Sequence, residues 1–188
     1  KAGVTTGEWA GTLREVFGEY RAPTGVGGAQ VARSAGEKID EVRRRLESVA
    51  ETIGRRPKML VGKPGLDGHS NGAEQIALKA RDVGFDVVYE GIRLTPAQIV
   101  ASALEEGVHL VGLSVLSGSH LELVPEVVRR MDEAGLKDVP VVVGGIIPDA
   151  DAERLRAAGV ARVYTPKDFE LNKIMTDIVD LVAAESAE

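Results

Sequence analysis

The sequence contains no cysteine, so a disulfide framework, a thiolate zinc site and an iron–sulfur cluster are excluded. Only three histidines are present; without thiols they are the natural soft-metal ligands. No apolar run approaches the roughly 18 residues that a membrane helix needs. No signal peptide is visible either, which points to the cytoplasm. Basic clusters are lacking and the formal charge is -6, so neither nucleic acid nor an anionic membrane surface is an expected partner. The chain begins at Lys1 without a methionine, and is expected to be a fragment or the ordered part of something longer.

What remains is ordinary for a soluble globular protein. Hydrophobic residues make up 44% and charged residues 28% of 188, enough for one good-sized domain plus an appendage. In residues 1–21, Trp9, Leu13, Val16, Phe17 and Tyr20 recur at three- and four-residue steps, the pattern of one buried helix face. This stripe is expected to be core, docked on something. Residues 22–28 read as a linker. A charged helix is predicted over 35–53, with Ile39, Val42, Leu46, Val49 and Ile53 on one face and Gly54 as its stop.

From Pro57 the pattern becomes alternating strand and helix. Strands are predicted at 58–63, 85–90, 109–115, 139–144 and 161–165, with helices at 71–83, 95–107, 119–135, 149–159 and 169–184. The strand segments are short and rich in valine, as in a parallel sheet covered on both faces. Thr95-Pro96 and Pro148-Asp149 look like helix starts, and Gly84, Gly107, Gly135 and Gly159 like helix ends. Five βα units with right-handed crossovers make an α/β doubly wound, flavodoxin-like (Rossmann-like) parallel sheet of order 2-1-3-4-5, preceded by a helical and linker segment.

Ligands bind such sheets at the carboxyl ends of the strands, beside the switch point. Three connections at that edge stand out. Strand one runs into Lys63-Pro-Gly-Leu-Asp67-Gly68-His69-Ser-Asn-Gly72, strand three into Ser114-Val-Leu116, and strand four into Gly144-Gly145. Strands one, three and four are neighbours in the expected order, so the three loops face one cleft. An aspartate two residues before a histidine is a way to orient an imidazole for a metal. His109 and His120 fit no motif; His109 is read as a strand residue and His120 as first-turn helix.

Asp67-x-His69-x-x-Gly72 is followed by 41 residues before Ser114-x-Leu116, and another 27 precede Gly144-Gly145. In order and spacing these elements resemble the cobalamin-binding domain shared by coenzyme-B12-dependent mutases and corrinoid methyltransferases. The resemblance implies that His69 is the lower axial ligand of cobalt, displacing the cofactor's own dimethylbenzimidazole. It implies that Asp67 accepts the other imidazole N–H and that Lys63 completes a relay. The displaced nucleotide tail would run into a slot between the sheet and a flanking helix, where Ser114 hydrogen-bonds it and Gly144 and Gly145 leave the wall bare. Gly68, Gly72 and Leu116 belong to the same motifs, and Tyr164 and Thr165 after strand five are implied to line the slot.

Lys58-Met-Leu-Val-Gly-Lys63, Gly118-Ser-His-Leu-Glu-Leu-Val-Pro125 and Val163-Tyr-Thr-Pro166 are similar to the methylmalonyl-CoA mutase group. Lys63 to Gly72 and Tyr89-Glu-Gly-Ile-Arg-Leu-Thr-Pro96 look most like its ethylmalonyl-CoA mutases. Methylmalonyl enzymes more often carry Met, Gln and Asp-Arg at Pro64, Leu66 and Ser70-Asn71. The resemblance implies an isomerase that uses adenosylcobalamin for a radical carbon-skeleton rearrangement, interconverting ethylmalonyl-CoA and methylsuccinyl-CoA. A methylmalonyl-CoA/succinyl-CoA enzyme is the alternative, and a corrinoid methyl carrier a further one. Residues 1–34 would be the end of the substrate barrel and a linker, 35–56 a leading helix, and 57–188 the cobalamin domain. The acyl-CoA would bind a barrel that this chain lacks, so no catalytic residue is expected here. A homodimer, a G-protein chaperone and an adenosyltransferase for cofactor loading are the implied partners. A receiver-type phosphorylation module shares the topology, but it needs an aspartate where Ser114 stands. A flavodoxin-like carrier needs a Ser/Thr-rich phosphate loop after strand one, and none is there.

Overall fold

The computed structural model describes residues 3, 5–17, 28–116, 118–168 and 170–185. The chain divides into two units, Lys1–Gly36 and Glu37–Glu188. Among the described residues no helix is long and apolar enough to cross a membrane.

In the first unit, α1 (Thr6–Phe17) starts at a capping pair: Glu8 N–H donates to Thr5 Oγ1 at 3.3 Å, and Thr5 N–H donates to Glu8 Oε2 at 2.9 Å. Its apolar stripe does not form a core. Trp9 is 60% and Val16 67% exposed, and Leu13 is exposed as well. A twelve-residue helix cannot bury a tryptophan by itself, and among the described residues of its own unit this face has no cover. Tyr20, the Phe17 side chain and residues 18–27 of the predicted linker lie outside what is described. The second helix, α2 (Gly28–Ile53), begins seven residues earlier than the predicted position 35. Its stretch Ala29 to Arg33 is rich in good helix formers, and a single internal Gly36 does not stop it.

The second unit is a five-stranded sheet of order β2-β1-β3-β4-β5, with every pairing parallel. In chain order it runs β1 (Lys58–Pro64), α3 (Asn71–Val83), β2 (Asp86–Leu94), α4 (Pro96–Glu106), β3 (Leu110–Val115), α5 (His120–Glu133), β4 (Val141–Gly145), α6 (Asp149–Ala157), β5 (Arg162–Tyr164) and α7 (Leu171–Glu185). The doubly wound α/β fold expected from the sequence is the one found.

Alternation along the strands builds two cores. Met59, Val61, Leu110 and Val142 pack with α2, α3 and α7 on one face. Leu60, Val111, Val143 and Val163 pack with α4, α5 and α6 on the other. The helix starts follow from capping: Thr95 Oγ1 accepts from Gln98 N–H while the Gln98 side chain accepts from Thr95 N–H, with Pro96 at the first helical position.

Every strand differs from expectation by a residue or more at one end or both, and two of these shifts have a visible cause. β2 continues to Leu94 rather than 90, because its tail bulges and rejoins β1 at Gly62 and Pro64. His109 precedes β3 and is not part of it, though it is tied to β1. Its N–H donates to the Lys58 carbonyl at 2.8 Å, and Lys58 N–H donates to His109 Nδ1 at 3.0 Å. An accepting Nδ1 requires a neutral imidazole with its proton on Nε2. Burial, and after it the charge of Arg55, lowers the pKa of His109. A folded pKa below the unfolded value of about 6.5 means a contribution that is complete above that pH. It is lost as pH falls toward the folded value. We predict that the parent loses stability between about pH 7 and pH 5, and that His109→Asn, whose amide oxygen takes the same hydrogen bond, loses less. Urea unfolding at the two pH values measures this, and equal acid losses would contradict it.

Candidate functional site

The carboxyl ends of β1, β3 and β4 and the segment after β5 enclose a cavity of about 550 Å³. Its floor is sheet: Met59, Val61, Gly112 and Val142. Its sides are Ala73 and Ile76 of α3 and Leu171, Ile174 and Ile178 of α7. The cavity is therefore a mostly apolar slot on the α3–α7 face, opening at the sheet edge. Of the residues singled out from sequence, His69, Gly72, Ser114, Leu116, Gly144, Gly145, Tyr164 and Thr165 line it. Lys63, Asp67 and Gly68 do not; they stand behind His69.

That rear group is ordered by charge. Lys63, near the end of β1, is fully buried, and its Nζ lies 2.7 Å from Asp67 Oδ2. A buried ammonium persists only with such a counter-charge. The other carboxylate oxygen of Asp67 lies 2.6 Å from His69 Nδ1 and accepts His69 N–H at 3.1 Å. Lys63 first, and then His69 through its ring and its backbone N–H, hold the Asp67 carboxyl well below the usual carboxylate range. Since a carboxylate only accepts, Nδ1 carries a proton, and in the neutral ring Nε2 then holds the lone pair. The His69 side chain is 79% exposed. The arrangement is a fixed imidazole tautomer offered outward from a buried cation–anion base, which is how a protein presents a metal ligand.

The slot holds two hydroxyls with no partner among the described residues. Tyr164 OH is buried and unpartnered, and burial pushes its pKa up. Ser114 Oγ, on β3 beside Gly144 of β4, has no hydrogen bond to a described residue. Thr165 is used locally: its N–H donates to Asp168 Oδ2 at 2.9 Å and its hydroxyl to the same atom at 3.2 Å. An orphaned buried hydroxyl is costly unless something else pairs with it. We predict that Tyr164→Phe leaves the ligand-free chain as stable as the parent or more so, by about 1 kcal/mol. Urea unfolding checks this, and a clear loss would mean the hydroxyl has a partner in the fold.

The two glycines of β4 do different things. A Cβ on Gly144 would meet nothing within 4 Å and would project into open space, whereas a Cβ on Gly145 would stand 1.8 Å from the Val115 carbonyl oxygen. So Gly144 leaves open space at the wall, whereas Gly145 is required by the close approach of β3. Sequence reasoning missed the slot's depth. Gly112 interrupts a valine-rich strand, and a Cβ there would meet Met59 Cε at 2.7 Å. A lone glycine inside a strand is the signal that could have flagged it. Ile146, exposed, adds apolar lining together with Leu116.

These features define a doubly wound domain with a mostly apolar slot at the sheet edge and an outward imidazole at its lip. The two unpartnered hydroxyls, the bare wall at Gly144 and the outward imidazole suit a metallo-macrocycle with a long tail. Residues 57–169 match the B12 binding domain family, and the chain belongs to it; its cofactor is cobalamin. The chain is 63% identical over 182 residues to ethylmalonyl-CoA mutase of Cereibacter sphaeroides, covering 97% of this chain and 28% of that protein. It is 38% identical over 170 residues to the methylmalonyl-CoA mutase large subunit of Propionibacterium freudenreichii subsp. shermanii, covering 88% of this chain and 23% of that one. The chain thus spans about a quarter of the length of these relatives. A crystal structure of a cobalamin-binding protein from Desulfitobacterium hafniense shares the fold, with a TM-score of 0.59 at 18% identity over 92% of this chain and 76% of that one.

Proposed function

We propose that this chain is the cobalamin-carrying part of an adenosylcobalamin-dependent acyl-CoA mutase that interconverts ethylmalonyl-CoA and methylsuccinyl-CoA. The observation that carries the reading is the Lys63–Asp67–His69 chain at the lip of a 550 Å³ apolar slot. Among the described residues no three or more His, Asp or Glu side chains form a metal cage. A single histidine suits a metal that arrives with its other ligands attached.

In this reading His69 Nε2 would hold the cobalt, and Asp67 with Lys63 would fix its tautomer and raise its basicity. The slot would take the cofactor's dimethylbenzimidazole and nucleotide link. Ser114 and Tyr164 would hydrogen-bond them, Gly144 would leave room, and Gly68, Gly72, Leu116, Gly145 and Thr165 would shape the walls and lip. When bound, adenosylcobalamin supplies the radical chemistry of the rearrangement. The protein residues named here hold and orient it. Acyl-CoA binding belongs to a substrate barrel beyond this chain, so the chain alone is expected to show no turnover. Residues 1–34 are read as the end of that barrel and a linker, 35–56 as a leading helix and 57–188 as the cobalamin domain. The exposed Trp9, Leu13 and Val16 stripe supports this, since it is a face made for docking. The same reading extends to a cytoplasmic homodimer loaded by an adenosyltransferase and a G-protein chaperone.

The ethylmalonyl substrate is favoured over the methylmalonyl one by 63% against 38% identity. Titrating the chain with adenosylcobalamin tests the binding claim. Saturable co-elution of the cofactor with the chain on gel filtration, near one cofactor per chain, is expected, and cofactor that separates fully from the chain would refute it. Assaying the full-length enzyme with both acyl-CoA substrates tests the choice between them.

A further inference from the structure

The tail of β2 is built unlike the other strand ends. Val61 faces Tyr89, Gly62 faces Gly91 and Pro64 faces Leu94, so β2 takes five steps where β1 takes three. Bulges of this kind beside a site re-aim side chains. Gly91 absorbs part of the bend with φ 87°, but Arg93, with φ 62°, is the one described non-glycine residue in the left-handed region. A glycine or asparagine would adopt that backbone at less cost. Gly65 N–H donates to the Leu94 carbonyl at 2.9 Å, tying the bulged tail to the loop that carries Asp67 and His69.

The result is specific. The Arg93 guanidinium comes within 3.5 Å of where a Gly68 Cβ would stand, over the backbone between Asp67 and His69. It is exposed and has no hydrogen bond or ion pair with a described residue. The adjacent carboxylate is not its partner, because Asp67 is already paired with Lys63 and His69. A strained backbone has placed an unpaired fork of donors at the rim of the site, and strain kept at such a place points to a task.

Resting on the cobalamin reading above, we infer that Arg93 is a cofactor-binding residue. Its guanidinium donates to an acceptor oxygen of the bound cobalamin, either a peripheral amide carbonyl of the corrin or the phosphodiester of the nucleotide tail. Guanidinium donates through several N–H groups in a fixed plane and suits either oxygen.

The test compares the parent chain with Arg93→Ala, Arg93→Gly and Arg93→Lys. Each is titrated with hydroxocobalamin and with cobinamide, which keeps the corrin amides but lacks the nucleotide and its phosphodiester; visible absorbance reports binding. Alanine and glycine are expected to weaken hydroxocobalamin about 10- to 100-fold, the usual cost of a lost hydrogen bond to a charged group. Lysine should fall between them and the parent. In thermal melts of the ligand-free proteins, Arg93→Gly should unfold no lower than the parent, because it relieves the φ strain. Weaker binding in a variant that is no less stable is what a merely structural arginine would not produce. If the loss persists with cobinamide, the acceptor is a corrin amide; if it vanishes, the acceptor is the phosphodiester. Equal hydroxocobalamin affinity in the parent and in the alanine and glycine variants would overturn the inference. A parent that binds no hydroxocobalamin would instead overturn the functional reading, and this inference with it.

Discussion

Alanine in place of His69 is expected to leave the domain folded while weakening cobalamin by more than the 10- to 100-fold that loss of a supporting group typically costs a metal site. The reason is the division of labour within the loop. The imidazole is largely exposed, and substitutions at such positions usually change stability by about 0.5 kcal/mol or less. The buried Lys63–Asp67 pair behind it survives its removal. Binding would then rely on the slot alone. Asp67→Asn should weaken binding in the 10- to 100-fold range, because the ligand stays and its amide oxygen can still accept from the ring. Both Asp67→Asn and Asp67→Ala strip the counter-charge from a fully buried lysine, so destabilisation joins the binding loss in each, and Asp67→Ala loses the acceptor for His69 as well. Absorbance titrations paired with thermal melts separate these effects. A His69→Ala protein that binds as the parent does would remove the histidine from the site. The low pKa of Asp67 adds a pH expectation. A depressed folded value keeps the relay's contribution intact above the ordinary carboxylate range, and it is lost only as pH falls through that depressed value.

Gly145→Ala is expected to cost at least about 3 kcal/mol of stability, at the upper end of overpacking effects. Its new methyl would have to stand 1.8 Å from the Val115 carbonyl oxygen, a backbone atom of the neighbouring strand that cannot swing aside. For a chain of this size the loss corresponds to a melting temperature lower by roughly 6–12 °C. The adjacent Gly144→Ala is the control. No atom lies within 4 Å of its Cβ, so the fold should tolerate it, while a methyl on the slot wall should weaken cobalamin on the order of tenfold. Thermal melts and titrations of the two variants should therefore give opposite patterns. If both melted like the parent, the close approach of β3 and β4 would be wrong.

The architecture was legible because each βα unit carries its own punctuation. Thr95-Pro96 with Gln98 marks a helix start by satisfying the end N–H groups, and Gly84 and Gly107 mark helix ends by taking positive φ. The site's lip was legible for a similar reason, since Asp67, His69, Ser114 and Gly144 sit at strand ends where the topology brings them together. The slot's body was not. Met59, Ile76, Ile174 and Ile178 look like any core residues in sequence, and only packing shows that they surround a space. The bulge that aims Arg93 was hidden as well, because two extra residues in β2 leave no trace until the register with β1 is known. The cover of the α1 stripe was not legible, because periodicity marks an apolar face without saying what supplies its cover.

The most direct test of the account is the nitrogen bound to cobalt. The chain would be prepared with nitrogen-15-labelled histidine and loaded with unlabelled cobalamin. Its cobalt would then be reduced to the Co(II) state and examined by electron paramagnetic resonance. The account predicts that the triplet splitting from an axial nitrogen becomes a doublet on labelling, and that His69→Ala shows no such doublet. A triplet that persists in the labelled protein would assign the ligand to the cofactor's own dimethylbenzimidazole and contradict the account.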